Sequence, residues 1–269
     1  MRLRKLLPLS LVVVLSMLVG GCGGVAVTPT AASGEVVVFA ASSLKDAFGV
    51  VGDNLNTAGL VKATFNFAGS QTLVTQLSQG ARADVFVSAD AKTMDAAIVS
   101  GEIASGTQKL MATNRLVVIT EPDNGKVSKL QDIAAPGLKL VVAGPSVPAG
   151  NYSLQMLDKL SADPAYGAGF KDAVLANVVS REDNVRQVVA KVQLGEADAG
   201  IVYVTDAAGG KVGKIDIPAQ YNVPARYYIA PLKNASNPAG AKRFVDYVLS
   251  EAGQSVLKGF GFGPADEGE

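Results

Sequence analysis

The sequence predicts an α/β fold made of two βαβ-rich halves, each a mostly parallel sheet flanked by helices. Three observations carry this. Short β-branched apolar runs recur along the chain. Segments with apolar residues at i, i+3, i+4 and i+7 lie between them, the spacing of one helix face. Glycine, serine and proline gather where a run ends and a helical segment begins, as in βαβ units. With 269 residues, 48% of them hydrophobic and 18% charged, the chain can bury two cores of ordinary size.

Each element follows from the same signals. Val36–Phe39 is a β-branched run and predicts the first strand. Leu44, Ala47, Phe48 and Val51 then share a helix face. Ala63–Phe67 is a second strand, followed by Leu73, Val74 and Leu77 on one face. Asp84–Ser88 is a third, followed by Met94, Ala97 and Ile98. Arg115–Thr120 is a strand that ends at the turn-rich EPDNG. Leu138–Ala143 is another; GPSVPAG interrupts the chain at residues 144–150, and a helix is predicted from near Asn151. Val185, Val188, Val189 and Val192 repeat the helical spacing, and Gly195 is placed to end that helix. Ala199–Val204 and Tyr227–Ala230 are strands. Ala241–Leu249, with Phe244, Val245 and Val248 on one face, is the last predicted helix.

Residues 1–22 have the pattern of an export signal rather than of a fold. Arg2, Arg4 and Lys5 precede an apolar stretch, Leu6–Val19, which is short for a membrane span, and Gly20 and Gly21 are small. The only cysteine, Cys22, follows at once. LVGGC resembles the lipobox of bacterial lipoproteins, in which the cysteine is lipidated and becomes the mature N-terminus. Residues 23–34 are small and polar and suit a flexible tether. Lysine plus arginine and aspartate plus glutamate both number 24, which provides no electrostatic footprint for nucleic acid. Without Arg2, Arg4 and Lys5 the 24 basic residues fall to 21, and the remainder is slightly acidic. Histidine is absent, which removes the commonest general base and metal ligand.

In open α/β sheets, ligands bind beyond the carboxyl ends of strands, where helix N-termini present free N–H groups. Four junctions here carry suitable chemistry. At the first, Ser42 and Ser43 follow a strand. Ser43 with Asp46 reads as a helix cap from the junction alone. At the second, FNFAGSQTL, Gly69 permits close backbone approach and Ser70 offers a hydroxyl and an N–H. At the third, VPAG, the small Ala149 and Gly150 leave their N–H groups accessible, although an ordinary loop has the same composition. The fourth joins REDNVRQ to GIVYVTDA. Asp183 or Asn184 can cap a helix and leave the Val185 N–H at its positive end. Tyr203 is a phenol in an aliphatic strand, most simply a core tyrosine with a satisfied hydroxyl. Arg181 and Arg186 read as surface ion-pair residues. The groups are hydrogen-bond donors and include no evident general base, a profile for holding an ionised oxyanion.

VVVFAASSLKDAF, FAGSQTLVTQL, ADVFVSAD, VPAGNYSLQML, EDNVRQVVAKVQLGEADAGIVYVTDA and KGFGFG, in that order, resemble the molybdate-binding proteins of bacterial ABC transporters. These belong to the periplasmic-binding-protein superfamily. The resemblance covers roughly residues 35–262. It implies a two-lobed fold with the ligand cleft between lobes: residues 35–114 and 227–269 in one lobe, 115–226 in the other. It implies molybdate or tungstate as ligand, no cofactor and no protein–metal bond, since the protein touches oxygens. Ser43, Ser70 and Tyr203 match hydroxyl donors, and Ala149 and Val185 match backbone N–H donors. Ser42 stands where alanine is frequent and Gly69 where serine is frequent, so both are further candidates. The resemblance turns Ser43 from a cap into a ligand donor. It also implies a cognate ABC permease as partner and a monomer; together with the lipobox-like LVGGC, the expected location is the extracytoplasmic face of the membrane, lipid-anchored through Cys22, or the periplasm.

Two alternatives stand beside this reading. One is a receptor for another oxyanion, such as sulfate or thiosulfate, on the same fold. The other is an exported serine hydrolase, which would need a base for its serine. Lys45 near Ser43 is a conceivable one, but no G-x-S-x-G segment is present.

Overall fold

The computed structural model describes residues 34–122 and 125–265. The export signal, Cys22 and the tether up to residue 33 lie outside them, as does part of the EPDNG turn. Two five-stranded mixed sheets form the framework.

The first sheet holds β1 (Glu35–Ala41), β2 (Lys62–Ala68), β3 (Val85–Ser88), β4 (Lys109–Asn114) and β10 (Ala225–Pro231), in the order β2-β1-β3-β10-β4. The second holds β5 (Leu116–Thr120), β6 (Leu140–Ala143), β7 (Val178–Glu182), β8 (Ala199–Tyr203) and β9 (Gly213–Asp216), in the order β7-β6-β8-β5-β9. Three strands on one side of each sheet run parallel. The other two pairings are antiparallel and involve β10 or β5. These two strands explain why the sheets are mixed where the sequence suggests mostly parallel ones. They lie where the chain passes between sheets: Arg115 alone separates β4 from β5, and the chain re-enters the first sheet at β10.

Helices α1 (Lys45–Thr57), α2 (Ser70–Ser78), α3 (Ala91–Val99), α7 (Pro238–Leu249) and α8 (Glu251–Gly259) surround the first sheet. Phe48 of α1, Phe65 of β2 and Phe244 of α7 pack as a cluster with ring centroids 5.6–6.0 Å apart, a geometry worth about 0.5–1.5 kcal/mol per pair beyond burial. Helices α4 (Pro148–Ala162), α5 (Phe170–Ala176) and α6 (Val185–Gln193) cover the second sheet. The valines of α6 at 185, 188, 189 and 192 are all buried, as their spacing predicts. Gly195 follows the helix with φ of 71° and stops it.

Some elements differ from expectation. α4 begins at Pro148 rather than near Asn151. Pro148 is its first residue, where the missing N–H costs nothing and the fixed φ suits a helix. β4, α5, β7, β9 and α8 have no counterpart in the sequence reading. β7 is VVSRE and β9 is GKID, without the alternation or apolar run that marks a strand. Both lie at sheet edges.

Candidate functional site

Six strand ends converge on one small cavity. Ala41 ends β1 and Ser42 and Ser43 follow it; Ala68 ends β2 and Gly69 and Ser70 follow it; Ala89 follows β3. Val147, Pro148 and Ala149 lie after β6, Asn184 and Val185 after β7, and Tyr203 ends β8. All seven candidates, Ser42, Ser43, Gly69, Ser70, Ala149, Val185 and Tyr203, therefore line the same space. About 10 Å³ of it is open to the centre of a water-sized sphere, near the minimum for one small polar species.

Among the described residues, no charged side chain lines the cavity. Its positive character comes from backbone. The N-termini of α2, α4 and α6 face it, as does the 3-10 turn Ser42–Leu44 that leads into α1. The first N–H groups of a helix have no partner inside the helix and carry the positive end of its dipole. Gly150 fixes one of these ends. A Cβ there would collide with the carbonyl oxygens of Ala143 and Gly144, so only glycine lets α4 start so close to β6.

The hydroxyls are held so that they can donate inward. Ser70 Oγ accepts the Ala89 N–H at 3.1 Å, which occupies a lone pair and leaves the hydroxyl proton available. Ser43 Oγ lies 2.8 Å from Tyr227 Oη. Burial pushes the Tyr227 phenol well above its usual value of 10, so it stays protonated and can donate to Ser43. Ser43 can then pass its own proton toward the cavity. This corrects the capping expectation. The turn and α1 have no side-chain cap, and Asp46 instead pairs with Arg186.

Tyr203 departs from the core reading in the opposite sense. Its side chain is buried with 1% exposure, yet its hydroxyl has no hydrogen-bond partner. Burial and the neighbouring Tyr227 raise its pKa well above 10, so it too is an O–H donor. A buried polar group without a partner costs about 1–3 kcal/mol, and at a cavity wall it marks a place for a ligand acceptor. At the fourth junction Asn184, not Asp183, is the cap: its Oδ1 accepts the Gln187 N–H at 3.2 Å. That leaves the Val185 N–H at the helix mouth.

Tyr227 and Asp206 matter here and escaped the sequence reading. Tyr227 lies in a predicted strand but carried no separate signal. Arg186 forms an ion pair with Asp46, as the sequence reading expects, and Asp206, in the TDA segment, carries no signal of its own. Arg181 is exposed on β7, and among the described residues it makes no ion pair. For the hydrolase alternative, the partner of the Ser43 hydroxyl is a protonated phenol, and Lys45 is exposed on α1.

Residues 36–263 match the family described as bacterial extracellular solute-binding protein. The chain belongs to that family. Relatives of this solute-binding protein include the molybdate-binding protein ModA of Mycobacterium tuberculosis, 40% identical over 238 residues, covering 87% of this chain and 86% of the relative. ModA of Escherichia coli is 32% identical, covering 85% and 89%. Among solved structures, the periplasmic molybdate-binding protein of Azotobacter vinelandii superposes with a TM-score of 0.73 at 22% identity, covering 84% of this chain and 98% of that one. The sulfate-binding protein SubI of M. tuberculosis superposes with a TM-score of 0.76 at 17% identity, covering 87% and 88%. These structural likenesses establish the two-lobed periplasmic-binding fold. The relatives are solute-binding proteins rather than enzymes.

Proposed function

We propose that this protein is the extracytoplasmic substrate-binding component of an ABC importer, that it captures molybdate, and that tungstate is an equivalent ligand. The observation that carries the reading is the unpartnered Tyr203 hydroxyl in a cavity rich in hydroxyl and N–H donors and, among the described residues, without a charged side chain in its wall. The names of the relatives support molybdate as the ion. Ser43, Ser70 and Tyr203 would donate hydroxyl protons, and Ala149 and Val185 backbone N–H groups. Ser42 and the N–H at Gly69 or Ser70 are within the same wall. The lobes are proposed to divide as 35–114 with 227–269, and 115–226.

The donor set predicts selectivity. Molybdate and tungstate are fully deprotonated near neutral pH, so every oxygen accepts. Inorganic phosphate keeps one or two protons near neutral pH and needs an acceptor facing it. Burying that O–H among donors leaves polar groups unpaired at about 1–3 kcal/mol each. Sulfate has the right protonation but shorter bonds, so its hydrogen bonds to a cavity shaped for a larger tetrahedron are stretched and weakened. A thermal-shift panel tests this: a ligand at 100 times its dissociation constant stabilises by about 2.7 kcal/mol. Molybdate and tungstate should shift the melting temperature alike, with sulfate far behind and phosphate without effect. A shift from sulfate alone would move the function to sulfate uptake.

We also propose that Cys22 carries the lipid anchor, on the strength of LVGGC at the end of the apolar leader, and that the anchored receptor delivers its anion to a cognate permease. Stable anchoring takes more than one acyl chain. Cys22→Ala should move the protein out of the membrane fraction, and equal retention of the variant would remove the anchor.

A further inference from the structure

Arg186 stands outside the donor wall but against it. It is the second residue of α6, and its guanidinium reaches across the cleft. Nη2 donates to Asp46 Oδ2 at 2.8 Å and Nε to the Ser42 carbonyl at 3.3 Å. Both acceptors belong to the segment that follows β1. In its own half of the molecule, Nε lies 3.5 Å from Asp206 Oδ1. Asp206 has a side chain with no exposure and no hydrogen bond at Oδ1, while its Oδ2 accepts the Tyr203 N–H at 3.2 Å. One guanidinium thus links the turn bearing Ser42 and Ser43 to the turn that follows Tyr203.

Its place in the cleft is specific. Ser42 and Asn184 line both the small cavity and an open groove of about 550 Å³. Arg186 and Asp46 line only the groove. The ion pair therefore lies at the boundary between cavity and solvent. The side chains of Asp46 and Arg186 are 53% and 29% exposed, and exposed pairs add little to folding stability. The buried Asp206 carboxylate is different. Its Oδ1, 3.5 Å from Arg186 Nε within one lobe, is an oxygen that can hold the guanidinium in place whether or not the lobes are together, by charge when ionised and as an acceptor when protonated.

We propose that Arg186 is the positioning residue that keeps the cleft shut over its anion: held by Asp206, it closes onto Ser42 and Asp46 and slows anion escape. This rests on the oxyanion-receptor reading above. The contact forms only with the lobes together, so its loss should act on release more than on capture. An exposed ion pair is worth little on its own, so breaking this one should speed release only a few fold, about 2- to 5-fold.

The test is stopped-flow dissociation of molybdate, read by tyrosine fluorescence, since the chain has seven tyrosines and no tryptophan. Arg186→Ala removes a positive charge and Asp46→Asn a negative one. General attraction for an anion would make the first bind more weakly and the second more tightly. A closing contact instead makes both release molybdate faster, with the double variant no faster than Arg186→Ala alone. Asp46→Asn lies at a half-exposed position and keeps the test readable if Arg186→Ala folds poorly. Acceleration in Arg186→Ala alone, with Asp46→Asn at the unaltered rate or slower, overturns the proposal, as does an unaltered rate in both. If the unaltered protein binds no tetrahedral oxyanion, the receptor reading fails and this role falls with it.

Discussion

Tyr203 and Ser70 both supply hydroxyls to the cavity, but the protein depends on them differently. Tyr203 has no partner inside the protein. Tyr203→Phe should therefore lower molybdate affinity by about 10- to 100-fold, the worth of a hydrogen bond to a charged group, while the ligand-free melting temperature stays level or rises. Ser70 Oγ also accepts the buried Ala89 N–H. Ser70→Ala should weaken binding and also destabilise the ligand-free protein, by about 1–3 kcal/mol for the orphaned N–H. Paired calorimetric titrations and ligand-free melts separate the two, and equal ligand-free losses would contradict this division of roles. Most of the cavity wall was legible at this scale, because serine, glycine and small residues after strands mark anion-binding junctions whatever their partners. The partners themselves were not legible. That Ser43 faces Tyr227, 184 positions later, and that Tyr203 faces nothing, depend on how two distant strands approach.

Helix N-termini are the working elements, and glycine decides how near two of them come. Gly150 sets α4 against the end of β6. Gly69 has an unremarkable φ of −62°, yet a Cβ there would strike the Asp183 carbonyl oxygen and the Gln71 side chain. Gln71 Nε2 donates to that same carbonyl at 3.0 Å, so α2 and the turn before α6 meet across the cleft at this point. Gly69→Ala should hold the two apart and weaken molybdate binding without loss of fold, since the strain is relieved by opening. Gly150→Ala meets backbone of its own lobe and should lower ligand-free stability as well. Unchanged affinity in Gly69→Ala, measured by calorimetry, would show that the mouth closes less tightly than described. The strongly periodic helices and the buried strands were readable because period and burial coincide. β7 and β9 were not, because edge strands with polar residues owe their shape to the neighbour they pair with.

At the scale of the whole molecule, the two α/β halves followed from alternating strand and helix signals and the cleft between them from the family resemblance, while the mixed sheet order followed from neither, since crossing strands look like any others. The buried Asp206 couples this cleft to pH. Burial raises its pKa from 3.8 to about 7 despite Arg186. A raised acid favours the protonated folded state, so its contribution is greatest below about 4 and is lost as pH rises toward 7. Asp198, held low by Lys126 and the Lys139 N–H against the opposing effect of burial, acts with the opposite sign, and its contribution is lost at acid pH. Asp206→Asn should therefore gain melting temperature relative to the unaltered protein as pH goes from 5 to 8, and a constant difference would contradict the assignment. The lobes should also draw together around the anion, so small-angle scattering should record a smaller radius of gyration with molybdate, and an unchanged radius would argue for a rigid cleft. The central claim, a donor-walled cavity that takes a fully ionised tetrahedral anion, is tested most directly by competition calorimetry. The protein should bind one molybdate per chain and keep the same apparent affinity in a large excess of phosphate; displacement of molybdate by phosphate at comparable concentration would contradict it.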